Sequence, residues 1–116
     1  MIILEGKPQS TNNLYRTASR NNRVIVYMTG DGKITKALYQ FQAREQWHKP
    51  IIIGDLEVTI RLYFTDNRRR DWDNWHKISM DSLSGIVWKD DQQIRKATVE
   101  KFIDKKNPRI EIDIKS

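Results

Sequence analysis

The sequence predicts a single two-layer α/β (α+β) domain in which about four strands form a small mixed β-sheet and two helices pack against it. Three observations lead to this prediction. The chain has 116 residues, enough for one modest core and too few for two domains. Apolar residues alternate at 56–64 and 110–114, as in strands, and recur every three or four residues at 33–47, as in a helix. The whole chain, 1–116, is therefore predicted to be one domain.

The first half of the chain is predicted to hold one strand, a short β-like run and one helix. Residues 1–4 form a short first strand, and 24–28 form a short β-like run. Between them, 6–23 is rich in Pro, Ser, Thr and Asn, which is typical of a loop. The helix covers 33–47 and contains no Gly or Pro. We expect it to end before Pro50.

The second half is predicted to hold three strands and one helix. Residues 56–64 alternate strictly between apolar and polar side chains, which indicates a strand with one buried face. A second helix is expected over 72–84, stopped by Gly85. Residues 92–104 read as another strand, and 110–114 alternate as a closing strand.

Composition excludes several classes of protein. No apolar run approaches the roughly 20 residues that a membrane span needs. The chain has no cysteine, which excludes disulfides and thiolate metal sites and agrees with a reducing cytosol. Glu5 follows only three apolar residues after Met1, so we expect no secretory signal. The predicted location is the cytoplasm.

Charge is distributed unevenly along the chain. The net charge is +6, with 21 basic and 15 acidic residues. Residues 1–65 carry a net +4 and 92–116 a net +3, whereas 66–91 carry a net −1 from five basic and six acidic residues. All six acids in that middle stretch are aspartates. A basic chain that concentrates short carboxylates in one stretch predicts a polyanion-binding protein with a local cation site.

The chemistry is expected in this middle stretch. Asp71 and Asp73 follow the predicted strand, and the pair Asp90-Asp91 precedes the next one, so the carboxylates could meet at one edge of the sheet. Hard oxygen ligands suit Mg²⁺, with Mn²⁺ as a substitute. Three arginines precede them and would place a phosphate backbone: Arg68, Arg69 and Arg70. Lys77, one helical turn after Asp73, could contact the scissile phosphate.

A purely structural interpretation of the same residues stays open. Asp71 could be a helix N-cap, Asp73 a first-turn acid paired with Lys77, and Asp90-Asp91 a turn. Asp81 is interpreted as part of a surface network with Lys77 rather than as a ligand. The aromatic residues within or near the second helix are interpreted as packing residues, with the histidine partly buried: Trp72, Trp75, His76 and Trp88.

The pattern R-R-R-D-x-D-N-x-x-K, followed by D-x-L, a Gly and W-x-D-D before a strand, resembles the RusA family of Holliday junction resolvases. Pro8-x-Ser10-x-Asn12-Asn13-x-Tyr15-Arg16 is similar to that family's early loop, and Thr29-x-x-Gly32 before the first helix is similar to its pattern there. The likeness is most specific over 68–91. These enzymes are small nucleases often carried by phages and prophages.

The resemblance implies a homodimer that binds four-way DNA junctions and cuts them symmetrically with Mg²⁺ or Mn²⁺, without a small-molecule cofactor or a membrane. It places the metal-binding and catalytic aspartates at Asp71, Asp73 and Asp91, with Asp90 as an adjacent acid. It places the essential lysine at Lys77. Together with the charge pattern it predicts these DNA contacts: Lys7, Asn12, Asn13, Tyr15, Arg16, Arg68, Arg69 and Arg70.

A structure-specific endonuclease of DNA recombination and repair, in the cytoplasm of a bacterial host, is the leading hypothesis. The alternative is a non-catalytic junction- or DNA-binding protein of phage or prophage origin, in which the arginines bind phosphate and the aspartates only cap and pair. The first predicts cutting that depends on the divalent ion. The second predicts salt-sensitive binding without cutting.

Overall fold

The computed structural model describes all of residues 1–116 and contains three α-helices, six strands and one 3₁₀ turn. In chain order the elements are β1 (Ile2–Glu5), α1 (Thr11–Leu14), β2 (Tyr15–Arg20), β3 (Arg23–Met28), α2 (Gly30–Gln46), β4 (Leu56–Phe64), α3 (Lys77–Leu83), the 3₁₀ turn (Asp91–Gln93), β5 (Ile94–Ile103) and β6 (Arg109–Lys115). The predicted α+β class with a mixed four-stranded sheet is confirmed.

Four strands form the main sheet in the order β1-β6-β4-β5. β4 pairs antiparallel with β6 and parallel with β5, which makes the sheet mixed. β1 pairs antiparallel with β6 and lies at one edge. Helix α2 covers part of that edge, because the Gln46 side chain bonds the N–H and C=O of Ile3 at 2.8 and 2.7 Å. These bonds satisfy backbone groups that an edge strand leaves unpaired.

The core lies between one face of this sheet and helices α2 and α3. The alternating residues of β4 are fully buried on that face, as their period of two predicts. They pack with side chains from β1, β6, α3 and the segment after α3. The buried positions include Ile2, Leu4, Val58, Ile60, Leu62, Ile78, Leu83, Trp88, Ile110 and Ile112.

The predicted loop over 6–23 is wrong, because α1 and β2 occupy much of it. β2 pairs with β3 as a separate two-stranded ribbon outside the main sheet. Asn21 and Asn22 turn the chain with φ of 52° and 62°, a left-handed conformation that asparagine tolerates. The ribbon is exposed along most of its length and buries almost nothing. Its sequence therefore carries no hydrophobic period that could have revealed β2.

The second predicted helix is too long at its N-terminus. The structure has turns and bends over 72–76, and α3 covers only Lys77–Leu83. Gly85 follows α3 with φ of 90°, so the predicted stop is confirmed. The apolar spacing that suggested an earlier start comes in part from Trp72, which is 60% exposed.

Helix α2 confirms the helix predicted over 33–47 and extends it to an earlier start at Gly30. Its N-cap Thr29 accepts a hydrogen bond from the Gly32 N–H at 3.1 Å. The helix buries Gly32, Tyr39 and Ala43. The apolar residues that predicted the helix lie on the opposite side and are more than half exposed: Ile34, Leu38 and Phe41. None of the helices is long and apolar enough to span a lipid bilayer.

Candidate active site

A cavity of about 350 Å³ lies between α3 and the strands β4 and β5. Apolar side chains of the two strands contribute to its wall, and four charged side chains line it: Asp73, Lys77, Asp81 and Asp91. We call it the acidic cavity. Its remaining lining residues are Thr11, Val58, Ile60, His76, Met80, Ile94 and Ala97. The cavity therefore brings together three of the four predicted catalytic residues and leaves out Asp71.

The N-terminal segment is fastened to the segment that carries Asp73. The Asn74 amide donates to the Ser10 hydroxyl at 3.0 Å, and the Thr11 N–H donates to the Asn74 carbonyl at 2.7 Å. Ser10 also caps α1 by accepting from the Asn12 N–H at 3.2 Å. Asn74 therefore joins the N-terminal motif, residues 8–16, to the arginine and aspartate motif, residues 68–77.

Asp91 is held by two donors on one carboxylate oxygen. The Ser84 hydroxyl donates to Oδ1 at 2.5 Å, and the Trp88 indole N–H donates to the same atom at 3.0 Å. Trp88 is fully buried, which confirms its predicted packing role and gives Asp91 a rigid neighbour. The other carboxylate oxygen, Oδ2, accepts no hydrogen bond.

Asp90 has a different local role from Asp91. Its side chain accepts from the Gln92 N–H at 2.9 Å and caps the 3₁₀ turn. The Gln93 side chain accepts from the Asp90 N–H at 2.8 Å, which completes a capping box. Asp90 does not line the acidic cavity.

Lys77 pairs with Asp81, not with Asp73. Its ammonium lies 3.4 Å from Asp81 Oδ2, and the Tyr15 hydroxyl donates to that same oxygen. Burial, followed by the hydrogen bond to Asp81 and the charges of Asp81 and Asp91, raises the pKa of Tyr15. The predicted Lys77–Asp81 network is confirmed. It lines the cavity and includes Tyr15, which sequence spacing did not suggest.

His76 is half-buried and lines the acidic cavity beside these charges. Its ring stacks on Trp72 with the centroids 6.2 Å apart, and its buried Nδ1 atom has no hydrogen-bond partner. Burial lowers the pKa of His76, which favours the neutral imidazole. The predicted partial burial is confirmed, whereas exposed Trp72 is not the packing residue that we expected.

The donor chemistry of the cavity fits a hard divalent cation. No group of three or more His, Asp or Glu side chains is arranged closely enough to surround an ion. Two of the predicted ligands, Asp73 and Asp91, nevertheless line one cavity. Mg²⁺ is commonly bound by one or two carboxylates, with water and substrate phosphate at the other positions. Asp73 and Asp91 could hold such an ion.

A second cleft, of about 260 Å³, gathers half of the predicted DNA contacts. Lys7, Asn13, Arg68 and Arg70 line it together, although Lys7 and Arg70 are 63 positions apart in the chain. We call it the basic cleft. Ser10 also lines the basic cleft and bonds Asn74, next to Asp73, so the cleft and the acidic cavity share a border.

The arginine triplet divides into exposed and packed members. Arg70 is only 10% exposed; its guanidinium lies 4.2 Å from the Phe64 ring centroid and 2.7 Å from Asp66. The Arg68 backbone N–H and the Arg70 guanidinium hold the pKa of Asp66 at about 2. Arg68 and Arg69 are exposed.

The remaining predicted DNA contacts are spread over the start of the ribbon. Asn12 is exposed, and its carbonyl accepts from Arg16. Arg16 and Asn13 line another cleft, of about 430 Å³, next to the N-terminus of α2. Tyr15 points to Asp81 in the acidic cavity.

Three residues near this site have roles that sequence reasoning missed. Asn74 joins the N-terminal motif to the Asp73 segment, Ser84 holds Asp91, and Asp81 lines the cavity instead of a free surface. One signal was present for Asp81, because Asp73, Lys77 and Asp81 are spaced at i, i+4 and i+8. The bonds of Asn74 and Ser84 left no signal in the spacing.

Comparison with protein-family models identifies the family of the chain. The model described as "Endodeoxyribonuclease RusA" matches residues 5–115. Because the match covers nearly the whole chain, the protein belongs to the RusA endodeoxyribonuclease family. No individually curated protein matches the chain. Family membership makes the protein a nuclease of the endodeoxyribonuclease type, and the resemblance drawn from residues 68–91 is confirmed.

Proposed function

We propose that this protein is a divalent-metal-dependent nuclease that resolves four-way DNA junctions, with the acidic cavity as its cutting site. The observation that carries the proposal is that Asp73, Asp91 and Lys77 line one cavity of about 350 Å³. Family membership supports the nuclease chemistry. Such cutting would serve DNA recombination and repair in the cytoplasm of a bacterial host. The protein would be encoded by that host, by a phage or by a prophage.

The side chains of the cavity divide the work of phosphodiester hydrolysis. Asp73 and Asp91 supply carboxylate oxygens, and Ser84 and Trp88 keep Asp91 in place. Asp71 and Asp90 lie outside the cavity lining, and the family resemblance is what keeps them in the proposed set of metal-binding acids. When bound, Mg²⁺ or Mn²⁺ would polarise the phosphoryl oxygen and lower the pKa of water. Lys77 would meet the negative charge that develops on the phosphate.

The basic cleft would position the DNA strand beside this cavity. Lys7 and Arg68 present positive charge there, and exposed Arg69 adds to it at the surface. Contacts to phosphate supply affinity without sequence information, which suits a substrate defined by its branched shape.

The proposed assembly is a homodimer, because two incisions on opposing strands need two sites related by a two-fold axis. Exposed apolar surface supports it. Ile34, Leu38 and Phe41 form an uncovered stripe on α2. Strand β3, which contacts α2, also exposes apolar side chains, at Val24 and Val26. Exposed apolar surface on neighbouring elements is typical of a protein–protein interface.

The decisive experiment compares the wild type with Asp73→Asn on a synthetic four-way junction and a matched linear duplex, in Mg²⁺, in Mn²⁺ and in EDTA. The wild type should cut the junction in either metal and not in EDTA. Asp73→Asn should lower the cutting rate about 100-fold or more and leave junction binding equal or tighter, because a carboxylate facing phosphate is removed. Asp55→Asn, at an exposed position outside the cavity, is the matched control.

Each part of the proposal has a result that contradicts it. Normal cutting by Asp73→Asn would exclude the acidic cavity as the site. Tight, salt-sensitive junction binding by the wild type without cutting in either metal would favour the non-catalytic binding protein. The missing three-carboxylate cluster is what that alternative expects.

A further inference from the structure

Tyr15 forms a contact cluster with Lys77 and Asp81, two residues that line the acidic cavity. The Tyr15 hydroxyl donates to Asp81 Oδ2, and the Lys77 ammonium lies 3.4 Å from the same oxygen. The ammonium also lies 5.0 Å from the centroid of the Tyr15 ring, within range of a cation–π interaction. Lys77 therefore has one anionic and one aromatic neighbour, and these two neighbours bond each other.

The cluster restrains a side chain that is otherwise mobile. A lysine ammonium is carried on a four-carbon stem with many rotamers, and an exposed ion pair alone restrains it weakly. Here Asp81 is only 25% exposed, and a second donor orients its carboxylate. Asp73 and Asp91 line the same cavity, so the restrained lysine shares it with the proposed metal-binding carboxylates.

The position of Tyr15 is itself fixed to the site. Tyr15 follows α1, and Thr11 at the start of α1 donates to the carbonyl of Asn74 at 2.7 Å. The Leu14 carbonyl accepts the N–H of Thr29 at 2.9 Å, which fastens the other end of α1 to α2. Tyr15 therefore lies on a short, doubly anchored segment, whereas the rest of the ribbon projects from the body.

We propose that Tyr15 is a positioning residue that, through Asp81, holds the Lys77 ammonium at the cavity that Asp73 and Asp91 line, before DNA arrives. The proposal rests on the proposed function for the role of Lys77. It gives Tyr15 a role in orienting residues of the cavity instead of the DNA contact that the family resemblance implies.

The kinetic test uses Tyr15→Phe, which keeps the ring and removes the hydroxyl. The kcat for junction cutting should fall about tenfold, whereas KM and the junction Kd should stay within about twofold. Asp81→Asn should have the same effect. The double variant should be no slower than Asp81→Asn alone, because both changes break one coupled unit. Asp55→Asn, at an exposed position outside the cavity, is the matched control for Asp81→Asn and should cut as the wild type does.

A second measurement needs neither metal nor DNA. The free protein is treated with an amine-acylating reagent, and labelling of Lys77 is measured by mass spectrometry relative to exposed Lys33. Lys77 should react several-fold faster in Tyr15→Phe and in Asp81→Asn than in the wild type, because the released ammonium samples solvent. Labelling of Lys33 should not change.

Three results would overturn the proposal. A weaker junction Kd with unchanged kcat in Tyr15→Phe would make Tyr15 a DNA contact. Additive losses in the double variant would show that Tyr15 acts independently of Asp81. Equal Lys77 labelling in all proteins would show that the cluster does not restrain the ammonium. A wild type that cuts no DNA would contradict the proposed function alone, and the labelling would still decide the role of Tyr15.

Discussion

At the scale of single residues, neighbours in the arginine triplet have different physical environments. Arg70 packs on Phe64 and bonds Asp66, and its side chain is only 10% exposed. Arg69 is exposed, with no ion pair or side-chain hydrogen bond. Of these identical side chains, Arg70 therefore stabilises the fold, whereas Arg69 is available to bind DNA.

We expect Arg69→Gln and Arg70→Gln to change different quantities. Arg69→Gln should weaken junction binding and reduce the slope of log K against log salt by about 1, with an unfolding free energy within about 0.5 kcal/mol of wild type. Arg70→Gln should lower the unfolding free energy by about 1–3 kcal/mol, because a charge-assisted hydrogen bond and ring contact are lost. Urea unfolding and binding titrations at several salt concentrations measure both. Equal stability losses in the two variants would contradict this division.

Asp66 makes the stability of the protein depend on pH, through the loop that carries the arginine triplet. Its pKa of about 2 lies below the value near 3.9 expected in the unfolded chain. Its stabilising contribution is therefore complete above about pH 4 and is lost as the pH falls through 2. The stability difference between wild type and Asp66→Asn, measured by urea unfolding from pH 6 to 2, should shrink on acidification. A difference that grows below pH 4 would refute the assignment, and Asp55→Asn provides the control.

At the scale of elements, the contact between α1 and α2 depends on a glycine. Gly32 is buried in the first turn of α2, and a Cβ at this position would collide with the carbonyl oxygen of Leu14. That carbonyl also accepts the N–H of Thr29, the N-cap of α2. The close approach holds α1, and with it the start of the ribbon at Tyr15, against the body.

Gly32→Ala should therefore lower the unfolding free energy by about 1–3 kcal/mol, because the two helices must separate. Junction cutting should also fall, since Tyr15 would shift with α1. Gly30→Ala is a matched control in the same helical turn, where a Cβ would meet no atom within 4 Å. Its unfolding free energy should equal that of the wild type or exceed it by up to about 1 kcal/mol. Thermal melting and urea unfolding test the pair, and equal effects of the two substitutions would contradict the argument.

At the scale of the whole molecule, the proposed homodimer depends on the exposed stripe of α2. Light scattering at micromolar concentration should give about twice the 13.8 kDa mass of one chain. Leu38→Glu and Phe41→Glu together should give a single-chain mass, because charges would be buried at the interface. Arg44→Glu, on the same helix outside the stripe, should leave the dimer intact. A single-chain mass for the wild type would contradict the proposed assembly.

Elements that face the core were predictable from the sequence. Residues 56–64 alternate because every second side chain of β4 is buried on the sheet, and the predicted bounds agree with the structure. The ribbon strand β2 was missed because a strand that buries nothing needs no hydrophobic period. Helix 72–84 was predicted too long because exposed Trp72 happened to continue the spacing of a buried stripe.

The sequence determined the family, and its most specific signal was in residues 68–91. That stretch also contains three predicted catalytic residues that line the acidic cavity: Asp73, Lys77 and Asp91. Residue types and short spacings are visible in the sequence, so the candidate carboxylates, lysine and arginines could be identified from it directly. Only the tertiary structure decided that Tyr15 bonds Asp81, 66 positions away, and that Arg70 packs inward on Phe64. Such contacts depend on which distant segments the tertiary structure brings together, and that choice leaves no local pattern in the sequence.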